Sequence, residues 1–207
     1  MNNDQPVVVV LAAGQGAPSS DSAHLLAQPL GHRTVLGQTL SHVLLSGLPT
    51  VVVTTPALAA EAGRTVAQRD IVTVSPADIQ RGAGGAVALG VSARAGAAGW
   101  LLLPGDMAQV SPASLLAVAR ALPGHAIVVP HHQGLAGHPL GFSAELFGEL
   151  MVLHGDDGLR RLLRRFPQHA LDLPDPGIRA AISTLHDLES ARERARRSAS
   201  AVVEPPG

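Results

Sequence analysis

Short apolar runs rich in β-branched residues recur along this chain, and the gaps between them are long enough for one helix each. Residues 7–11 form a continuous apolar run between Pro6 and Gly14. That is the pattern of a strand buried on both faces of a parallel sheet. Residues 50–54, 71–74, 100–103 and 126–129 repeat it, and a further strand is expected near 170–173. Helices are expected over 34–46, where Val35, Leu36, Leu40, Val43 and Leu44 have helical spacing, and over 57–68, 84–95, 143–153 and 156–166. Another opens at Ser111-Pro112, with Ser111 placed to cap it and Pro112 in its first turn. This alternation predicts an α/β fold: a doubly wound, mostly parallel, Rossmann-like sheet flanked by helices, in a single domain. Ligands on such sheets bind beyond the carboxyl ends of the strands, so the residues after each strand carry the functional signal.

Composition narrows the chemistry. The 207 residues include no cysteine, which excludes disulfides, thiolate metal sites and a thiol nucleophile. All fifteen basic side chains are arginine, so a Walker-type phosphate loop with its lysine is excluded. The formal net charge is −1, which gives no broad pull toward nucleic acid or a membrane surface. No tyrosine and only four aromatics (Trp100, Phe142, Phe147, Phe166) leave little for stacking a base. Trp100 is expected to fill the core beside its strand. The start, Met1-Asn-Asn-Asp-Gln-Pro, lacks the basic and long apolar regions of a signal peptide, and a cytoplasmic location is the expectation.

The first strand runs straight into a glycine-containing turn, Leu11-Ala-Ala-Gly-Gln-Gly-Ala. Glycines there permit a ligand to approach backbone N–H groups, which can cradle phosphate. A tight turn with no ligand has the same signature. Ser19 occupies the last glycine position of a dinucleotide fingerprint, so that reading is excluded.

Six blocks in order then share one pattern. Leu11-Ala-Ala-Gly-Gln-Gly resembles the L-A-A-G-x-G opening of nucleotidyltransferases, and Arg81-Gly-Ala-Gly-Gly-Ala resembles a glycine-rich segment that lines their base pocket. Leu103-Pro-Gly-Asp-Met resembles a strand-ending G-D-M. Gln133-Gly-Leu-Ala-Gly-His-Pro-Leu-Gly-Phe, Gly155-Asp-Asp-Gly-Leu-Arg and the stretch from Leu171 to Leu188 resemble the later blocks. Together, over about 7–188, they resemble the molybdenum cofactor cytidylyltransferase branch of the MobA-like NTP transferases.

The resemblance implies a domain at 1–188 with the fold of nucleotide-diphospho-sugar transferases. It implies transfer of a nucleoside monophosphate from a nucleoside triphosphate, CTP first, to a phosphorylated pterin cofactor. Leu11, Ala12, Ala13, Gly14, Gly16, Gly82, Gly84 and Gly85 would bind the nucleotide, and His138 and Pro139 the acceptor. Asp106 would hold Mg²⁺, and His24 and Asp106 would be catalytic. The family's arginine, lysine and second metal-binding aspartate fall on Ala17, His24 and Ser183. Two readings therefore stand. One is an active transferase. The other is a catalytically degenerate relative that binds nucleotide or cofactor and serves a molybdoenzyme as maturation partner. Residues 189–207 are expected to be a basic helix end followed by a disordered tail of about ten residues. His131-His132 has no matching metal-ligand cluster nearby, and the arginines of 160–165 read as a solvated helix face or an attractor for an anionic cofactor.

Overall fold

The computed structural model describes residues 5–13 and 25–201, with side chains as far as Arg196. β1 (Val7–Ala12) comes first. A small hairpin of β2 (Pro29–Leu30) and β3 (Arg33–Thr34) then leads into α1 (Val35–Leu45) and β4 (Thr50–Thr54). The chain continues through α2 (Pro56–Ala62), β5 (Ile71–Thr73), α3 (Pro76–Gln80), α4 (Gly82–Ser92) and β6 (Gly99–Pro104). Next come α5 (Pro112–Ala121), β7 (Ile127–His132), β8 (Leu135–Ala136) and β9 (Leu140–Ser143). The last elements are α6 (Phe147–Met151), α7 (Gly158–Arg165), β10 (Gln168–Asp172) and α8 (Leu185–Ala201).

Seven strands form the main path of one sheet in the order β10-β7-β9-β6-β1-β4-β5, with β8 paired to β7. β1 lies parallel between β4 and β6. β9 runs antiparallel to both β6 and β7, and it is the one reversed strand in that path. β1 shows why the apolar run was needed. Val8 and Val10 enter a core with Leu36, Leu40 and Leu115 on one face, while Val7 and Val9 enter a second core with Val87, Trp100 and Phe142 on the other. Each fully buried valine contributes about 1.5–3 kcal/mol, so a polar residue anywhere in 7–10 would cost the sheet its centre.

The helix ends follow local chemistry. Thr34 caps α1 by accepting from the Gly37 N–H at 2.9 Å, and Ser111 caps α5 by accepting from the Ser114 N–H at 3.1 Å, with Pro112 at the first position. α4 is made of small residues because it lies close over the sheet. A methyl group at Gly90 would press into Val9 and stand 2.9 Å from Cγ2 of Val53.

Several expected boundaries shift. The helix expected over 57–68 stops at Ala62, where Gly63 caps it and Thr65 and Val66 begin a turn. The one expected over 143–153 is a 3-10 turn at Ala144–Leu146 followed by the single turn of α6. β9 was not anticipated. Its four residues include Gly141, which has room only for hydrogen because Cγ1 of Val118 would stand 2.9 Å from a methyl there. The basic stretch after 189 is not a separate element: α8 spans 185–201, so residues 198–201 of the expected disordered tail are helical.

Candidate active site

β1 and β6 end side by side, with Leu11 opposite Pro104. The turn after β6 is locked onto both neighbours. The Gly105 N–H donates to the Leu11 carbonyl at 2.9 Å, and the buried Thr39 hydroxyl of α1 donates to the Gly105 carbonyl at 2.8 Å. A side chain at 105 would stand 3.2 Å from Cβ of Ala12, so glycine is what lets the turn approach the end of β1. Asp106 is thereby delivered to the edge where the chain leaves Ala13. Sequence reasoning did not single out Thr39; the available signal was a threonine on an otherwise apolar helix face.

Asp106 is only partly exposed. Its backbone carbonyl accepts from the Ile182 N–H at 3.1 Å, and its Oδ2 accepts from the Ser183 hydroxyl at 3.3 Å. Its Oδ1 is buried and has no hydrogen-bond partner among the described residues. Burial pushes this carboxyl above the usual range, the Ser183 and backbone hydrogen bonds pull it back, and the charge of Asp187 adds to the push. A desolvated carboxylate with an idle oxygen at the ligand edge of the sheet suits a hard divalent cation, which would supply the missing partner. Among the described residues, no second carboxylate is hydrogen-bonded with Asp106, and the one whose charge acts on it is Asp187. Asp187 is committed to the start of α8, where it accepts from the Thr184 N–H at 2.8 Å, the Thr184 hydroxyl at 2.7 Å and the Ser183 N–H at 3.1 Å. Those bonds, the Thr184 hydroxyl first, hold its carboxyl below the usual range.

His138 lies two residues before β9, whose Leu140 pairs with Leu102 in antiparallel register. Its N–H donates to the Ile178 carbonyl at 2.8 Å, and the His138–Pro139 peptide is cis. Burial holds the ring below the usual histidine range, opposed by a hydrogen bond with the Leu102 backbone, so the imidazole is neutral at pH 7. Its Nδ1 is buried without a partner among the described residues. The segment from Ile178 to Ser183 thus joins His138 to Asp106 through backbone hydrogen bonds at both ends.

The glycines at the start of α4 have a packing role. Gly82 has φ +66°, and a side chain there would stand 2.8 Å from Oδ1 of Asp156. A methyl at Gly84 would stand 2.6 Å from the His154 backbone nitrogen, and one at Gly85 would stand 2.6 Å from Cβ of Arg81. The Ala83 N–H donates to Asp156 Oδ1 at 3.1 Å and the Gly84 N–H to the Gly155 carbonyl at 3.1 Å. The N–H groups of Ala83 and Gly84 are therefore engaged by the 155–156 turn. Gly14, Gly16, Ala17 and His24 lie outside the described residues.

The other sequence candidates make local contacts. Nδ1 of His131 is bonded to the Val129 carbonyl and that of His132 to the Leu173 carbonyl, and the described residues contain no cluster of three or more metal-ligating side chains. On α7, Arg165 pairs with Glu149 at 2.9 Å and Arg160 with Asp157 at 3.5 Å, as a solvated face would. Trp100 is fully buried, with its indole N–H donating to the Arg94 carbonyl at 3.2 Å.

Comparison with known proteins places this geometry. The family model for the MobA-like NTP transferase domain matches residues 8–171. The chain belongs to that family. Among solved structures, Rv0371c from Mycobacterium tuberculosis H37Rv is 30% identical, over 91% of this chain and 98% of that one, with a TM-score of 0.77. Rv0371c has also been solved in complex with manganese, at 29% identity over 92% and 98% of the two chains and a TM-score of 0.75. The molybdopterin-guanine dinucleotide biosynthesis protein A from Archaeoglobus fulgidus shares the fold at 16% identity, over 92% and 99% of the chains, with a TM-score of 0.64. No curated protein matches the sequence. Among the described residues, no helix is long and apolar enough to cross a membrane.

Proposed function

We propose that this member of the nucleotidyltransferase family moves a nucleoside monophosphate from a nucleoside triphosphate, CTP first, onto a phosphorylated acceptor of the pterin cofactor class. The observation that carries this reading is Asp106: a desolvated carboxylate with an unused oxygen, held at the joint carboxyl edge of β1 and β6. An acceptor phosphate oxygen would attack the α-phosphorus, the bond to the bridging oxygen would break, and pyrophosphate would leave. Asp106 would hold Mg²⁺ or a similar divalent ion, whose charge would offset that building on the phosphates. Leu11 to Ala13 would present the end of β1, with Gly14 and Gly16 beyond it, to the triphosphate. The start of α4, with Gly82, Gly84 and Gly85, would border the base. His138, neutral and with Nδ1 idle, would orient the acceptor beside Asp106 without adding charge.

Ser183 favours a second reading. It occupies the place beside Asp106 where a second carboxylate would complete a metal site, and a neutral hydroxyl adds no charge there. With no lysine in the chain to steady the triphosphate, turnover would be slower by roughly 10²-fold or more per missing fixed charge. In its extreme form this is a binding protein that hands nucleotide or cofactor to a molybdoenzyme. Calorimetric titration with CTP and Mg²⁺ or Mn²⁺, followed by a pyrophosphate-release assay, separates the two. Metal-dependent binding with turnover that is lost in Asp106→Asn supports the transferase. Metal-dependent binding with no pyrophosphate supports the carrier. Nucleotide binding unaffected by Asp106→Asn and by metal would remove Asp106 from both.

A further inference from the structure

Thr39 is the one buried polar side chain of α1. It has no solvent exposure, and its neighbours on the buried face are Leu36, Leu40 and Val43. Valine has nearly the same shape and would bring no hydroxyl to desolvate. The use of the hydroxyl shows in its contacts. It lies 3.1 Å from the Val35 carbonyl one turn back, the ordinary partner of a threonine in a helix. Its shorter bond, at 2.8 Å, leaves the helix for the Gly105 carbonyl.

That carbonyl belongs to the peptide joining Gly105 to Asp106. A peptide is planar, so holding its oxygen holds the plane and, with it, the Cα of Asp106. Glycine leaves this stretch of backbone freer than any other residue would, so an outside bond has more to restrain. The flanking peptides are pinned as well: the Gly105 N–H donates to the Leu11 carbonyl at 2.9 Å, and the Asp106 carbonyl accepts from the Ile182 N–H at 3.1 Å. Those two bonds join backbone groups, which survive any change of side chain. Of the three, the Thr39 bond is the one a side chain supplies. His42, three residues on and on the same side of α1, holds the far end of the segment. A carbonyl can only accept, so its Nδ1 donates to the Val110 carbonyl, at 2.8 Å. Met107 and Val110 are buried in the core that α1 also enters. α1 thus clamps residues 105–110, the segment that carries the idle Oδ1 of Asp106.

We propose that Thr39 is a positioning residue for the cation site: its hydroxyl sets the plane of the Gly105–Asp106 peptide, and through it the direction from which Oδ1 of Asp106 meets a divalent cation. The inference rests on Asp106 as the ligand. It adds that cation affinity is tuned from α1, by a buried residue that touches neither the ion nor the nucleotide.

The test is Mn²⁺ titration of the 207-residue chain followed by electron paramagnetic resonance, beside amide hydrogen exchange in chelator. Thr39→Val keeps the shape and removes the donor. It is expected to bind Mn²⁺ roughly tenfold or more weakly than wild type, the usual scale for losing an outer partner of a metal ligand. In chelator its Gly105 and Ile182 amides should exchange faster, while the centre of β1 stays protected. Thr39→Ser keeps the donor and should bind Mn²⁺ as wild type does. Gly90→Ala loosens α4 on the opposite face of the sheet, so it controls for lost stability and should leave Mn²⁺ binding unchanged. If Thr39→Val fails to fold, Thr39→Ala carries the test, because the space it leaves admits a water to the Gly105 carbonyl and spares the fold.

Wild-type Mn²⁺ affinity in Thr39→Val, or in Thr39→Ala where that variant stands in, overturns the proposal. Thr39→Ser as weak as Thr39→Val also overturns it, since the methyl and not the hydroxyl would then matter. So does an equal loss in Gly90→Ala, which would make the effect one of stability. Asp106→Asn, titrated alongside, separates the two layers. If it binds Mn²⁺ like wild type, the Asp106 reading fails and takes this one with it. If it loses Mn²⁺ while Thr39→Val keeps it, the role of Thr39 alone is refuted.

Discussion

Replacing Ser183 with aspartate tests how the site handles a cation. The Ser183 hydroxyl lies 3.3 Å from Oδ2 of Asp106, so the new carboxylate would stand roughly 4 Å from the old one. Two like charges at that separation repel by about 1 kcal/mol in water and about 4 kcal/mol at an effective dielectric of 20. Ser183 is exposed, so the lower part of that range applies, about 1–2 kcal/mol. Without metal the variant should therefore be less stable than wild type by about that amount, and the Asp106 carboxyl, already raised by burial, should rise further. A divalent cation between the two carboxylates reverses the sign: it removes the repulsion and gains a second anionic ligand. Mn²⁺ should bind Ser183→Asp about 5- to 30-fold more tightly than wild type, the same free energy written as an equilibrium constant. Thermal melting with and without Mn²⁺, beside a direct Mn²⁺ titration, reads both halves. A variant melting below wild type in chelator and above it in Mn²⁺ is the expected crossing. If Mn²⁺ binds both proteins equally while the chelated variant is destabilised, the carboxylates do meet but the cation sits elsewhere, and Asp106 is not its ligand.

Three further outcomes follow from the same geometry. Asp106 has a folded-state pKa above its unfolded value, so the folded protein holds the extra proton, and stability falls as pH rises from the ordinary carboxylate range through the raised value. Asp106→Asn should therefore raise the metal-free melting temperature at pH 7.5, by about 0.5–2 kcal/mol in stability, with the gain vanishing near pH 4 and wild type alone responding to Mn²⁺. Asp175 is the opposite case: despite partial burial, hydrogen bonds from the Ser114 hydroxyl at 2.6 Å, the Ser111 N–H at 2.9 Å and the Gly177 N–H at 2.8 Å hold its carboxyl low. Its contribution is present above the ordinary carboxylate range and is lost as pH falls through the lowered value, so Asp175→Ala should cost about 1–3 kcal/mol by denaturant titration at pH 7 and less below pH 3. Gly90→Ala should destabilise by about 1–3 kcal/mol, because a methyl there must push α4 off Val9 and Val53, and circular-dichroism melting would show it.

What the sequence made legible follows from where the information was local. β1 could be read because a strand buried on both faces must be apolar at every position, and the Ser111-Pro112 start because a cap is a contact within one turn. β9 could not be read. Leu140-Gly-Phe-Ser is too short for its alternation to speak for a strand, and its antiparallel pairing with β6 and β7 is decided by strands nearly forty residues upstream or just before it in the chain. The site divides in the same way. Asp106 was visible as an acid after a strand and a Pro-Gly turn, whereas its idle Oδ1, its neighbour Ser183 and the Thr39 hydroxyl that fixes the turn depend on long-range closure. α8 shows the consequence most clearly. As a string, its arginines look like a solvated end. In the fold, the Thr184–Asp187 cap holds its first turn at Asp106, and Arg192, about 12 Å further along the axis, is bonded to the hairpin. The segment that starts at Ser183 therefore meets Asp106 at one end and the β2–β3 hairpin further along, two contacts far apart in sequence that no local pattern encodes.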